Sequence, residues 1–145
     1  MFKASLSASA LALSLIASSS VFADSHGHMK HSMSPEGAST YIISPKDGDT
    51  VGETFSVQFG LMGMGVAPAG TDKANTGHHH LLIDGKMPDM NAPLGSNVKH
   101  FGGGQTESEI TLEPGQHTLQ LVLGDHMHVP HNPPVTSDVI TITVK

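Results

Sequence analysis

The sequence predicts an all-β domain, an immunoglobulin-like antiparallel β-sandwich of about seven strands. Three observations carry that expectation. From Ser39 onward apolar and polar residues alternate with period two, clusters of Pro, Gly and Asp punctuate the alternation, and no segment has a helical period.

The first strand is expected at residues 40–43 (T-Y-I-I), stopped by the turn S-P-K-D-G-D. Residues 54–61 alternate cleanly, with Phe55, Val57, Phe59 and Leu61 on one face and Ser56 and Gln58 on the other. A third strand covers 79–84 and a fourth 106–112, the latter ended by the reversing turn Glu113-Pro114-Gly115. Residues 118–123 follow, with Leu119, Leu121 and Leu123 inward, and 139–144 close the domain with Ile140, Ile142 and Val144 on one face. Two connections, 63–77 and 85–105, are too long for simple hairpins, and long loops on a compact scaffold are where function concentrates.

Ahead of the domain, residues 1–23 read as a secretory signal peptide. Lys3 supplies a positive start, 4–21 carry no charge, and Val21 and Ala23 sit at the −3 and −1 positions of a cleavage site. Cleavage after Ala23 leaves Asp24 first; a cut after Ser25 would leave His26. The expected address is the periplasm of a Gram-negative bacterium. Residues 24–38 lack apolar periodicity and are expected to form a disordered arm rich in His and Met, with 39–145 as the folded domain. No later segment is long and apolar enough to span a bilayer.

Composition narrows the function classes. The chain has no cysteine, which excludes disulfides, thiolate metal sites and cysteine nucleophiles. Its seven cationic residues are all lysine and its net charge is −6, which argues against nucleic acid or anionic lipid as partner. Against that background stand eleven histidines and eight methionines.

The histidines gather at loops and strand ends. His78, His79 and His80 end the first long connection, His100 ends the second, and His126, His128 and His131 precede the last strand. Along a strand His78 and His80 share one face, whereas His79 faces the other way with Leu81 and Ile83. In extended chain His126 and His128 would likewise share a face, beside Asp125. In an immunoglobulin-like sandwich the third and penultimate strands are neighbours, and an antiparallel pairing brings the two clusters together. Neutral imidazole is the common protein ligand for zinc and copper, and carboxylate is a usual companion. His78, His80, His126 and His128, with Asp125 and His131 in reserve, are therefore the candidate ligands for copper or zinc. Thioethers such as Met62, Met64, Met87, Met90 and Met127 would favour Cu(I), and His26, His28, Met29, His31 and Met33 of the arm would make a looser chelator. Each feature also has a plainer reading. The imidazoles can form a hydrogen-bonded polar layer without metal, His117 can tie its turn to the backbone, and methionines often fill gaps.

Nothing nominates an enzyme. The chain lacks G-x-S-x-G, H-E-x-x-H and a phosphate-binding loop, and Gly102-Gly103-Gly104 opens no helix. A histidine-bound metal with an open position could activate water, but no substrate is indicated.

Four stretches, T-G-H-H-H-L-L-I-D (76–84), H-F-G-G-G-Q-T-E (100–107), L-E-P-G-Q-H-T-L-Q-L-V-L-G-D (112–125) and H-V-P-H-N-P-P-V-T-S-D-V-I-T-I-T-V (128–144), resemble a family of small exported bacterial proteins described as a domain of unknown function. The resemblance spans about residues 40–145. It implies export and a compact β domain, and supplies no ligand set. More loosely, the chain is similar to periplasmic copper-resistance sandwich proteins, whose Cu(II) site uses an N-terminal histidine; cleavage after Ala23 would place Asp24 there instead. The sequence thus supports a periplasmic copper- or zinc-binding module for storage, buffering or delivery, delivery implying a periplasmic protein partner. A structural or interaction domain with a metal-free histidine network stands as the alternative, and a metal-dependent enzyme as a third.

Overall fold

A computed structural model describes residues 30–145. The expected signal peptide and residues 24–29 lie outside them. Among the described residues there is no helix, hence none long and apolar enough to cross a membrane. The nine strands are β1 (Ser39–Ser44), β2 (Thr50–Val51), β3 (Thr54–Met62), β4 (Gly65–Val66), β5 (Thr76–Ile83), β6 (Lys99–His100), β7 (Glu107–Thr111), β8 (Gly115–Gly124) and β9 (Ile140–Val144). The six long ones are those the alternation predicts, with bounds shifted by up to three residues. Each of the three short ones has two residues, too few for periodicity to register.

The strands form two sheets, one ordered β1-β3-β7 and the other β2-β9-β8-β5-β4, with β6 also paired to β5. This is the expected all-β sandwich. Its interior holds Val57, Phe59 and Ile110 from the first sheet against Leu81, Leu119, Leu121, Ile142 and Val144 from the second, with Phe101. Several are wholly removed from water, so truncating one to Ala costs about 2–5 kcal/mol.

The larger sheet is buried on both faces around β5. Leu81 points into the sandwich, while Leu82 and Val122 point outward and pack beneath Leu94 and Val98 of the 85–105 loop. That loop is therefore a lid on the outer face of the sheet. The end of β5 is fixed by Asp84, whose carboxylate accepts from the Thr118 amide at 2.8 Å and pairs with His117 Nδ1 at 2.5 Å. His117 Nε2 donates to the Glu113 carbonyl at 2.8 Å, tying the turn to the strand as the plainer reading expects.

Of the segment expected to be a disordered arm, residues 30–38 are described, and part of it is bonded to the domain. Asn132 donates its amide to the Ser32 carbonyl at 3.0 Å and accepts from the Ser34 amide at 3.1 Å. Ser32 Oγ donates to Asp125 at 2.8 Å, and Ser34 Oγ to the Pro133 carbonyl at 2.7 Å. Residues 32–34 thus lie as a strip along the 125–133 connection. Polar composition hides this, because backbone pairing needs no apolar pattern.

Two glycines let β5 and β8 approach with the histidines between them. A Cβ at Gly77 would stand 2.7 Å from the Gly124 carbonyl oxygen and 2.8 Å from His131 Cε1, and one at Gly124 would stand 2.6 Å from His80 Cε1. Gly77→Ala should therefore destabilise the fold by about 1–3 kcal/mol in urea unfolding. Gly95→Ala, whose Cβ meets nothing closer than Asn97 Oδ1 at 3.5 Å, should stay within about 0.5 kcal/mol of wild type.

Candidate metal centre

Pairing between β5 and β8 is antiparallel, with His78 opposite Gly124, His79 opposite Leu123 and His80 opposite Val122. The pleat then divides the triplet. His79 enters the sandwich, its ring 4.8 Å from that of Phe59. His78 and His80 stand together on the outer face, ring centroids 4.5 Å apart. All three are fully buried.

The third imidazole comes from the turn after β8. Asp125 Oδ1 accepts from the amides of Met127 at 2.9 Å and Val129 at 3.0 Å, and the His128 amide donates to the Asp125 carbonyl at 2.9 Å. This side-chain-capped turn carries His128 at φ 64°, a left-handed conformation uncommon outside glycine. The result aims His128 back at β5. Its Nδ1 lies 3.0 Å from His78 Nε2 and 3.3 Å from His80 Nε2. Ligand atoms of His78, His80 and His128 all fall within 4.8 Å of one another, and the group could hold a metal ion.

Hydrogen bonding does not account for this convergence. An imidazole nitrogen offers one lone pair or one hydrogen, so His128 Nδ1 cannot make two full hydrogen bonds. His78 Nδ1 and His80 Nδ1 are buried without a partner, as are both ring nitrogens of His79. A saturated polar layer would leave no such atoms. Two of the three spacings, 3.0 and 3.3 Å, are close to those at a tetrahedral ion, where metal–nitrogen bonds of about 2.0–2.1 Å set ligand nitrogens roughly 3.3 Å apart.

The remaining candidates are placed elsewhere. Asp125 is buried, and its two oxygens already take the Met127 and Val129 amides and the Ser32 hydroxyl, so it shapes the turn rather than joining the three nitrogens. Burial alone would raise its pKa, but those three donors, with a smaller contribution from His126, hold the carboxyl below its ordinary value. His126 points away, its Nδ1 3.8 Å from Asp72 Oδ1. The expectation that it shares a face with His128 fails because residues 126–128 form a turn rather than a strand. His131 is buried beside Gly77 and donates Nε2–H to the Thr76 carbonyl at 3.1 Å.

His100, which the sequence leaves unassigned, is the residue that spacing misses. The two-residue pairing of β6 sets it opposite His80. Its ring lies 4.6 Å from that of His80 and 5.1 Å from that of His128. His100 Nε2 donates to the Leu94 carbonyl at 3.1 Å, so a neutral ring keeps its lone pair on Nδ1. The signal was there in G-H-H-H and K-H-F-G-G-G both closing long loops, but the register was not.

Burial and mutual repulsion keep the cluster neutral. Burial, followed by the neighbouring His128 and His100 charges, lowers the His78 pKa to about 4, against an opposing pull from Asp125. Burial lowers His80 to about 3, with His78, His100 and His128 adding to it. His128 is lowered by burial and His100. Burial takes His79 to about 4. Ligand lone pairs are thus free of protons throughout the neutral range, as metal binding requires.

The family model for a domain of unknown function, DUF4399, matches residues 57–145, and the chain belongs to that family. No curated protein matches the sequence. Among solved structures, the fibronectin(III)-like modules of Clostridium thermocellum CbhA share 12% identity at a TM-score of 0.36, over 72% of this chain and 92% of that one. That likeness is too distant to inform function, and the fold assignment rests on the strand order itself.

The lowered imidazole pKa values fix the acid response of the metal-free protein. The unfolded chain takes up these protons near pH 6.5, whereas the folded one resists until about pH 4 or below, so stability is full above pH 6.5 and declines between 6.5 and about 4. Thermal unfolding of chelator-treated protein should show Tm falling across that window. His79→Leu, which removes one of the buried rings, should flatten the decline.

Proposed function

We propose that this DUF4399 protein is a metal-binding module whose centre is His78, His80 and His128, with His100 closing its exposed side, and whose cargo is copper or zinc. The observation that carries the reading is the convergence of three imidazole nitrogens, His128 Nδ1 lying 3.0 Å from His78 Nε2 and 3.3 Å from His80 Nε2, where its single lone pair or hydrogen cannot serve both neighbours.

An all-imidazole donor set without thiolate suits Zn(II) or Cu(II), and Cu(II) binds nitrogen donors more tightly than the other divalent first-row ions. Three ligands on a rigid strand pair and a side-chain-capped turn give a preorganised site, beside which His100 is held by its bond to the Leu94 carbonyl. Such a site fits storage, buffering or delivery. The signal-like residues 1–23 support export, so the work would be done in the periplasm. Nothing around the centre nominates a substrate.

Calorimetric titration of the chelator-treated protein with Zn(II) and Cu(II) tests the proposal. One equivalent should bind, His128→Ala should weaken binding by roughly 100-fold or more, and His126→Ala should leave it unchanged. Because His128 is half-buried at a turn, its removal should leave the sandwich folded, which circular dichroism checks. Equal binding by wild type and His128→Ala would refute the assignment.

A further inference from the structure

On the other side of the Asp125 turn lies a cleft of about 620 Å³, bounded by residues 30–33, 72–75, 125–127 and 129. None of the three nitrogens of the histidine centre lines it. Among its lining residues are Met33, Met127, His31 and His126. The two methionines are 65% and 61% exposed, so neither is filling a gap in the core.

The walls are held in place by the bonds that organise the turn. Asp125 takes the Met127 amide on one oxygen and the Ser32 hydroxyl on the other, linking the two methionine-bearing walls through one carboxylate. Met33 is paired with Asn132 in a parallel bridge. His31 keeps a donor atom: its Nδ1 lies 2.9 Å from the Pro130 carbonyl, which can only accept, so in the neutral ring the hydrogen is on Nδ1 and the lone pair on Nε2. Support of one ring nitrogen by a backbone carbonyl is the usual arrangement of a histidine whose other nitrogen binds metal.

Donor chemistry selects the class of ion. Of the carboxylates lining the cleft, Asp125 is already engaged by three donors and Asp72 is 84% exposed, which leaves a poor cage for hard cations such as Ca²⁺ or Mg²⁺. Lys30 and Lys73 on its rim further disfavour a divalent ion. Thioether sulfur and imidazole nitrogen are soft and borderline donors, and they select a soft monovalent ion.

We propose that this cleft is a second metal site, separate from the histidine centre, in which Met33, Met127, His31 and His126 hold a soft monovalent cation, Cu(I) or its stand-in Ag(I). The two sites would share one turn, His128 facing the histidine centre and Met127 the cleft.

The test is an Ag(I) titration of the purified protein labelled with ¹³C at the methionine methyls, repeated on Met33→Leu/Met127→Leu. The first equivalent should shift the Met33 and Met127 methyls ahead of Met62, Met64, Met87 and Met90. The double variant should bind Ag(I) about tenfold more weakly or worse while binding Zn(II) as wild type does, which also shows that it folds. Three results would overturn the proposal: shifts spread evenly over the methionines, unaltered Ag(I) affinity in the double variant, or loss of binding on His26→Ala/His28→Ala/Met29→Leu. Since the probe and the variants differ from those that test the histidine centre, either site can fail without the other.

Discussion

The register of β5 against β8 is the constraint on which the rest depends. Six consecutive pairs, from His78 opposite Gly124 to Ile83 opposite Leu119, fix which imidazoles face outward and which enters the sandwich. Side chains alternate with period two, so a slip by one residue would send His78 and His80 into the core and bring His79 alone to the centre. Apolar burial prevents the slip: Leu81, Leu119 and Leu121 fill the interior of the sandwich, and Leu82 and Val122 the layer under the 85–105 loop. Hydrophobic packing on both faces thereby sets the geometry of a polar site.

That site works against stability. Four ring nitrogens of the triplet are buried without partners, and an unmade hydrogen bond of a buried group costs about 1–3 kcal/mol. His128 adds a left-handed backbone, a conformation that costs of order 1–3 kcal/mol when a non-glycine residue adopts it. The orphan nitrogens of His78 and His80 and the His128 backbone lie together at the centre, and such costs mark a position shaped for something other than folding. A cation among the three converging nitrogens would take all three lone pairs at once, where His128 Nδ1 can serve only one neighbour, and binding only the folded state would stabilise it increasingly as metal concentration rises.

Much of this was legible in the sequence. The six long strands follow from alternation and turn residues, and the opposite facings of His79 and its neighbours follow from the same period. Even the meeting of the two clusters follows from the neighbouring of third and penultimate strands. What the sequence hid is local geometry set by hydrogen bonds. His126 and His128 lie on different sides because Asp125 caps a turn where extended chain was expected. His100 joins the group through a strand of two residues, and Ser32 and Ser34 are placed by bonds to a loop 93 and 99 positions away. Contacts of that separation leave no trace in periodicity.

The central claim is that the folded domain, through named nitrogens, binds the metal. Long-range ¹H–¹⁵N correlation spectra of the histidine rings during a Zn(II) titration read this directly, because a nitrogen that gains a metal moves from the lone-pair region toward that of bonded nitrogen. The account predicts that the first equivalent moves Nε2 of His78 and His80 and Nδ1 of His128 together, in slow exchange, with His126 and His131 unmoved. Shifts confined to His26, His28 and His31, with the rings of His78, His80 and His128 unaltered, would contradict it.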